Sequence, residues 1–550
     1  MRYPTTVAPE FPIAQAHRRA SCASGRPLLW HAVALATWLA VAPMPTASAA
    51  PGVAPAATAV AWLPAGGDAD IDKAFAQARQ ERKPVLLYWG AKWCPPCNQL
   101  KATLFNRQDF IERSRALVPV HIDGDLPGAQ KLGARFNVRG YPTLILMSAD
   151  GTELTRLPGE ADAPQVMALL QAGLAGGRPV KAVLADARAG KPLQPNEWRA
   201  LALYSWDTDQ DQLVPQAQRA QLLAQLAAGC PSTESESATR LMLKAVAASD
   251  GGKAWKPDAA LGKRVRQIVV DPAAARAQMD TLVNASDAIV RALAPQVGAD
   301  RRALVADLDR ALGRLQADSS LSRADRMSAL IGRIELARID LPDSERHPKL
   351  DAGLLRQVRE QVALDDRSIT DGYERQAVIT SAAHALGHAG LWDESDVLLK
   401  ANLTRSHSPY YLMSQLGGNA RKLGRKDEAL RWYQQAFDTS EGPATRLQWG
   451  ASYLSAVVEL APQDTARVEK TAAQLYTEAA QDKGAFYERS ARSLQRVGQQ
   501  LVQWNGSRAH DAVVERLRRQ LEGVCTRIDA TDAQRATCDG LAKALVARRG

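Results

Sequence analysis

The sequence carries two cysteines separated by two residues, a spacing that could do redox chemistry. Cys94 and Cys97 enclose two prolines and follow an apolar run at 85–89. The run predicts a buried strand, and the segment at 94–104 predicts a helix that starts at the cysteines. The unpaired N–H groups and partial positive charge of a helix N-terminus favour a thiolate over a thiol. The two residues therefore predict a pair that exchanges disulfides with another molecule.

Helices and strands are predicted on both sides of the cysteine pair. Apolar residues at helical spacing predict helices, and short apolar runs predict buried strands. The predicted helices cover 71–82, 94–104, 129–136 and 163–174, and the predicted strands cover 85–89, 118–122 and the two segments that flank Asp150 and Gly151. An Asp-Gly step favours a hairpin turn. These elements predict an α/β domain with the cysteines at a junction between a strand and a helix.

A second motif, which contains Tyr141 and Pro142, stands before an apolar run at 144–147. It resembles the cis-proline loop of the thioredoxin superfamily, and the segment that begins at Trp93 resembles the W-C-x-P-C motif of that superfamily. The resemblance covers residues 68–178, about a fifth of the chain. It implies a thioredoxin fold and a thiol–disulfide oxidoreductase that needs no cofactor.

The resemblance also implies roles for individual residues. Cys94 would attack a substrate disulfide, and Cys97 would resolve the mixed disulfide. Pro142 would pack against the cysteine pair, and the backbone of Tyr141 would pair with the substrate as a strand edge does. Trp93 would form an exposed rim beside the sulfur, with a core position as its alternative. The substrates would be protein disulfides, and a membrane protein would supply thiol electrons.

Two positions depart from the pattern of the superfamily. The superfamily often keeps a buried acid six residues before the first cysteine, where this chain has Tyr88. The proton of the Cys97 thiol would then have to leave to water or to another acid. Pro95 stands where glycine is usual, whereas Pro96 matches the pattern and favours reduction or isomerisation over oxidation.

Other chemistry is open to two neighbouring thiols. A purely structural bridge between Cys94 and Cys97 would restrict little chain, which makes that interpretation weak. Zinc needs four ligands, and no second CxxC or nearby histidine pair accompanies the motif. His121 is expected on a strand surface rather than as a ligand, so no resident metal is predicted. Two thiolates can hold copper(I), and copper handling remains an alternative.

The first 49 residues resemble a secretory signal peptide. Three arginines at 18–26 precede an apolar run at 28–41, and an A-x-A pattern at 47–49 predicts cleavage before Ala50. An exported chain of this kind is expected in a bacterial periplasm, where disulfides persist. An uncleaved membrane anchor is the alternative, although the apolar run is short for a membrane span.

The length of 550 residues predicts two or three domains. Following the signal, a flexible linker is predicted at 50–67, the thioredoxin-like domain at 68–178, a second linker at 179–199 and an almost entirely helical domain at 200–550. The net charge of +10 is spread along the chain without a dense lysine and arginine run. Nucleic acid is therefore not an expected partner.

Part of the helical domain repeats itself. A Gly390 pattern recurs 34 positions later at Gly424, which is the period of tetratricopeptide repeats. The clearest unit covers 410–443, with Leu416 and Gly417 in its first helix and Tyr433 in its second. An α-solenoid is predicted, with an irregular helical domain as the alternative. Solenoids bind proteins or peptides on concave surfaces, so we expect the helical domain to recruit such a partner.

The remaining cysteines suggest one further bridge. Cys525 and Cys538 flank a predicted turn between two helices, and a structural disulfide there is plausible. Cys230 would then be a buried apolar residue rather than a second redox centre.

The sequence as a whole predicts an exported thiol–disulfide oxidoreductase whose helical domain recruits partners. Its alternatives are a tetratricopeptide-like scaffold or chaperone with a non-catalytic thioredoxin module, and a copper(I)-handling protein.

Overall fold

The computed structural model describes residues 58–157, 163–207, 209 and 211–545. A thioredoxin-like domain with a small mixed sheet comes first, and a large all-helical region follows it. This confirms the fold class predicted from the sequence. The predicted signal peptide over 1–49 lies outside the described residues.

A five-stranded sheet forms the centre of the first domain. Its strands are β1 (Leu63–Pro64), β2 (Val85–Gly90), β3 (Val118–Asp123), β4 (Thr143–Met147) and β5 (Glu153–Leu157). They lie in the order β1-β3-β2-β4-β5, with β3 parallel to β1 and β2, and β4 antiparallel to β2 and β5. All six residues of β2 are buried because helices cover both faces of the sheet.

Five helices surround the sheet. They are α1 (Asp68–Glu81), α2 (Pro95–Thr103), α3 (Gln108–Ser114), α4 (Ala129–Arg135) and α5 (Ala163–Leu174). Leu87 and Trp89 of β2 pack towards α1 and α4. Leu86 and Tyr88, on the opposite face, pack towards α2, α3 and α5. The alternation of side chains along β2 therefore fixes α2, which carries the cysteines, on the Tyr88 face.

The first strand begins earlier than the sequence predicts. Residues 50–67 are predicted as a flexible linker, whereas Leu63 and Pro64 pair with β3. Trp62 packs its ring against Phe105 and Tyr88, with centroid distances of 5.0 and 5.5 Å. Burial of this tryptophan holds the segment on the sheet, although the surrounding alanine, proline and glycine residues are typical of a linker.

The rest of the described chain is helical. Its helices are α6 (Val180–Arg188), α7 (Pro195–Leu203), α8 (Gln216–Gly229), α9 (Ser235–Ala247), α10 (Ala259–Val270), α11 (Pro272–Ala277), α12 (Met279–Leu293), α13 (Ala299–Ala317), α14 (Arg323–Ala337), α15 (Ala352–Ser368), α16 (Gly372–His388), α17 (Trp392–Lys400), α18 (Pro409–Lys422), α19 (Lys426–Thr439), α20 (Pro443–Leu460), α21 (Thr465–Gln481), α22 (Glu488–Trp504), α23 (Asp511–Cys525) and α24 (Ala533–Ala544). The predicted linker at 179–199 contains α6 and the start of α7. Trp198 of α7 is buried in an apolar core that α6 and α7 share with α8 and α9.

The predicted repeat unit at 410–443 corresponds to α18 and α19. Gly424 lies between them with φ 73°, a left-handed conformation that glycine adopts without strain. A β-carbon on Gly417 would lie 3.0 Å from the Tyr433 ring, so the absence of a side chain lets the two helices approach closely here. The unit is a closely packed helix pair, and its assignment to the tetratricopeptide family stays a prediction.

A disulfide joins the last two helices. Cys525 ends α23 and Cys538 lies within α24, with their Cα atoms 5.5 Å apart. Both side chains are buried in the core that also contains residues of α20 to α22. The bridge closes a short loop and restricts the unfolded chain.

Replacement of both Cys525 and Cys538 by alanine should loosen this helix pair. A bridge over such a loop stabilises by roughly 3 kcal/mol, which corresponds to about a hundredfold change in an opening equilibrium. We expect amide hydrogen exchange in α24 to accelerate by about that factor, while exchange in α2 stays unchanged as an internal control. Equal protection of α24 in the variant and the parent would contradict this role.

Candidate redox site

The two cysteines of the first domain lie at the start of α2. Cys94 is the residue that caps the helix, and the Cys97 N–H donates a hydrogen bond to the Cys94 sulfur at 3.2 Å. The pair forms a disulfide with Cα atoms 5.3 Å apart. Pro95 begins the helix, where its missing N–H would have had no helical acceptor. On reduction, the same N–H and the helix end would stabilise a thiolate on Cys94.

A buried amide fixes the loop that carries the first cysteine. The Asn98 side-chain amide donates to the backbone oxygens of Cys94 at 2.8 Å and Lys92 at 3.0 Å. Asn98 is fully buried and belongs to α2. The loop and the helix therefore hold the sulfur of Cys94 in one position.

The second motif of the sequence lies beside the pair. The peptide bond between Tyr141 and Pro142 is cis. Tyr141 packs against the apolar cluster that contains Trp93, Cys94 and Cys97. Pro142 leads directly into β4, which pairs with β2, the strand that precedes the cysteines. The topology thus brings together the two motifs that the sequence places far apart.

The redox pair is covered. The exposed fractions are 2% for Cys94, 0% for Cys97 and 8% for Trp93. The cover consists of side chains from the helical region, chiefly Tyr410, Tyr411, Ala436 and Trp449. The sequence predicts Trp93 as an exposed rim, but the structure buries it because these aromatic side chains pack over it.

Trp93 makes contacts on every side with the helical region. Its ring lies 5.0 Å from the Trp449 ring and 6.0 Å from the Tyr411 ring. Its indole N–H donates to Thr445 Oγ1 at 3.0 Å, and its carbonyl accepts from Gln376 Nε2 at 3.1 Å. These contacts to the residue before Cys94 come from α16, α18 and α20.

A buried ion pair joins the two parts of the chain. Arg489 of α22 contacts Asp125 of the first domain at 2.6 Å, and both side chains are largely buried. The guanidinium also lies 5.4 Å from the Trp93 ring centroid and 5.3 Å from the Tyr141 ring centroid. Arg489 thus rests on two residues that the resemblance assigns to substrate binding.

Several helices of the helical region reach the first domain near the cysteine pair. Besides α16, α18, α20 and α22, the contact includes α14, where Asp325 accepts from Gln99 Nε2 at 2.9 Å. We call the surface formed by α14, α16, α18, α20 and α22 the inner face. At its edge, Lys92 pairs with Glu441 at 2.9 Å, and both side chains are exposed. The helical region, which the sequence predicts to recruit a partner protein, contacts the chain's own redox domain through the inner face.

The position of the absent acid is occupied by aromatic and neutral groups. Tyr88 is buried, and its hydroxyl makes no hydrogen bond with the described residues. The His121 ring stacks on Tyr88 at a centroid distance of 5.0 Å, and burial lowers the His121 pKa to about 4. Burial also raises the pKa of Asp123, which follows on the same face of β3. Asp123 is therefore the carboxyl nearest along β3 to the position where the superfamily keeps its acid.

Among the described residues, Cys230 is the cysteine that belongs to neither disulfide. Cys230 is free, and burial raises its pKa to about 11, so the thiol is protonated at neutral pH.

Within the part of the chain that the structure describes, no group of three or more His, Cys, Asp and Glu side chains is arranged to hold a metal ion. Over the same residues, no helix combines the length and apolar character that a membrane span requires.

The residues of the cover were not predicted from the sequence. Asp125 and Arg489 are 364 positions apart, and each alone resembles an ordinary charged surface residue. Trp449 and Tyr411 follow the helical spacing of core residues and carry no motif. The contact that buries Trp93 could have been found only by placing the two parts of the chain against each other.

Comparison with known proteins supports the fold of the first domain. The family model of the thioredoxin-like domain matches residues 71–174. The chain is 32% identical over 131 residues to the thiol:disulfide interchange protein DsbD 2 of Pseudomonas aeruginosa, which covers 23% of this chain and 22% of the relative. It is 33% identical over 113 residues to DsbD 1 of the same organism, covering 20% and 19%. A third relative, DsbD of Cronobacter sakazakii, is 33% identical over 100 residues, 17% of each chain.

These similarities are confined to one domain. The chain spans less than a quarter of the length of the curated relatives it matches. A solved circular tandem repeat protein aligns with 70% of this chain and 83% of its own at 14% identity, with a TM-score of 0.16, from which nothing follows about the helical region. The sheet topology, the cysteine pair at the start of α2 and the matching family model agree, and the domain over residues 71–174 is a member of the thioredoxin superfamily.

Proposed function

We propose that this protein is a thiol–disulfide oxidoreductase that exchanges disulfides with protein substrates through Cys94 and Cys97. The observation that carries the proposal is the position of Cys94 at the N-terminus of α2, where its sulfur accepts the Cys97 N–H. This arrangement lowers the free energy of a thiolate and places a second thiol within bonding distance of the first. The relatives named as thiol:disulfide interchange proteins support the same chemistry.

The exchange proceeds in two displacements. The Cys94 thiolate attacks one sulfur of a substrate disulfide, so a mixed disulfide forms and the other substrate sulfur leaves as a thiolate that takes up a proton. Cys97 loses its proton and attacks the Cys94 sulfur, which releases the second substrate thiol. Two electrons pass to the substrate, and Cys94 and Cys97 end as a disulfide. Water or another acid accepts the Cys97 proton.

The oxidised pair must be reduced before the next cycle. We propose that a membrane protein supplies the electrons by thiol–disulfide exchange and that the chain works in the periplasm after export. Support for this placement comes from the signal-like sequence at 1–49 and from the persistence of disulfides in that compartment. The proline that precedes Cys97 favours reduction or isomerisation of substrates.

A second candidate function follows from the burial of the pair. A scaffold or chaperone with a non-catalytic thioredoxin module would also keep Cys94 and Cys97 out of solvent, as the structure shows. The two candidates differ in whether the pair reacts with protein disulfides. Copper(I) handling, the other alternative, requires that the reduced thiols bind the metal more tightly than a simple dithiol does.

The Cys94–Cys97 pair should undergo reversible reduction in glutathione buffers, whereas Cys525–Cys538 should stay oxidised. Structural bridges have reduction potentials below about −300 mV, while catalytic pairs lie closer to the glutathione couple. Long incubations followed by alkylation and peptide mass spectrometry report each pair separately within one chain. A Cys94–Cys97 pair that resists reduction as strongly as Cys525–Cys538 would favour the scaffold.

Replacement of Cys97 by serine should cause mixed disulfides to accumulate on Cys94, because the resolving thiol is missing. We expect covalent complexes with protein substrates on non-reducing gels and none from a Cys94→Ser variant. Cys230→Ser serves as the matched control and should behave as the parent does. If the Cys97→Ser variant collects no partner even when Arg489, whose guanidinium lies over Trp93, is also replaced by glutamine, the oxidoreductase is refuted and the scaffold is supported.

A further inference from the structure

We propose that the helical region is an intramolecular cap, and that Cys94 reacts with a protein substrate only after the inner face releases the thioredoxin-like domain. This inference rests on the proposed function and names the regulation of its site. The cap is held chiefly by the pair Asp125–Arg489, by the packing on Trp93 and by the edge pair Lys92–Glu441.

The inner face blocks the access of a substrate to the Cys94 sulfur. A thiolate must approach a substrate disulfide along the axis of the bond that breaks, so the substrate sulfur has to touch Cys94. Cys94 is 2% exposed, and the rings of Tyr411 and Trp449 belong to the cluster that covers it. A folded protein cannot reach the sulfur while these side chains are in place.

The groups expected to bind substrate already make contacts within the chain. The Arg489 guanidinium lies over the rings of Trp93 and Tyr141. The Trp93 indole N–H is used by Thr445 and Asp125, and the Trp93 carbonyl by Gln376. The inner face thus takes the place of a substrate on the surface around Cys94.

The contact between the inner face and the thioredoxin-like domain is of a kind that can open. Around the aromatic cluster on Trp93, the contact includes the polar pairs Gln99–Asp325, Asp125–Arg489 and Lys92–Glu441, and polar contacts of this kind are typical of interfaces between domains that move. Both charges lose their hydration when a buried ion pair forms. The net free energy that the pair contributes to stability is therefore small compared with the electrostatic attraction between the charges. Separation returns both Asp125 and Arg489 to water, whereas removal of one partner leaves a buried charge unpaired. The pair therefore fixes one closed arrangement without making it permanent.

Arg489→Gln in the full chain should expose the site. We expect the reduced variant to react at Cys94 with a maleimide on a polyethylene glycol chain roughly tenfold faster than the parent, or more, because the closed state now holds an unpaired Asp125. Rates are measured across pH and read from peptide mass spectrometry of Cys94. The plateau at high pH reports access, and the midpoint reports the thiol pKa, so the two effects are separated.

A milder variant guards against misfolding of the first. Glu441→Lys places two positive charges together at the edge of the cap. Both side chains are exposed, so the substitution does not disturb the apolar core. We expect the plateau rate to rise roughly two- to fivefold. Glu469→Lys is the matched control, because it breaks a comparable exposed pair with Arg516 between α21 and α23, and it should leave the rate unchanged.

The outcomes separate the cap from the proposed function. Equal plateau rates in the parent and both cap variants, all close to that of an unhindered thiol, would overturn the cap even if the protein exchanges disulfides. Faster modification of Cys94 in the variants supports the cap. If the opened variants still fail to exchange with a protein disulfide such as insulin, the cap stands and the oxidoreductase is refuted.

Discussion

The packing of Trp93 against the inner face is the interaction on which the chemistry of this chain depends. Trp93 directly precedes Cys94, its ring contacts two aromatic side chains of the helical region, and its carbonyl accepts a hydrogen bond from Gln376. Whatever holds the indole therefore also holds the first sulfur and the start of α2. The redox pair and the helical region form one packed unit, in which side chains of the helices cover both sulfurs.

The local features of the first domain could be predicted from the sequence. The predicted helix at 163–174 has the same bounds as α5, and β2 extends the predicted strand by one residue. In both cases the signal lies in the spacing of apolar residues within the segment itself. By contrast β1 is two residues long, and its place in the sheet depends on pairing with β3, which lies more than fifty residues away.

The arrangement of the site could be predicted only in part. The motifs around Cys94 and Pro142 indicate which residues meet, because the topology of the domain is implied by the order of its elements. Their burial could not be predicted, because it depends on Arg489 and other residues hundreds of positions away. The surroundings of Tyr88 could not be predicted from the sequence either. The sequence shows that the acid is missing, but the neutral environment that Tyr88 and His121 create there is visible only in three dimensions.

That the inner face, formed by five helices of the same chain, contacts the redox domain has a consequence for which substrates can enter. A tethered surface competes at an effective concentration that reaches the millimolar range for short linkers. A substrate present at micromolar concentration loses this competition if it binds only around Cys94. It succeeds if it also binds elsewhere on the helices, so selectivity for substrates would arise from competition within the chain as well as from the sulfur itself.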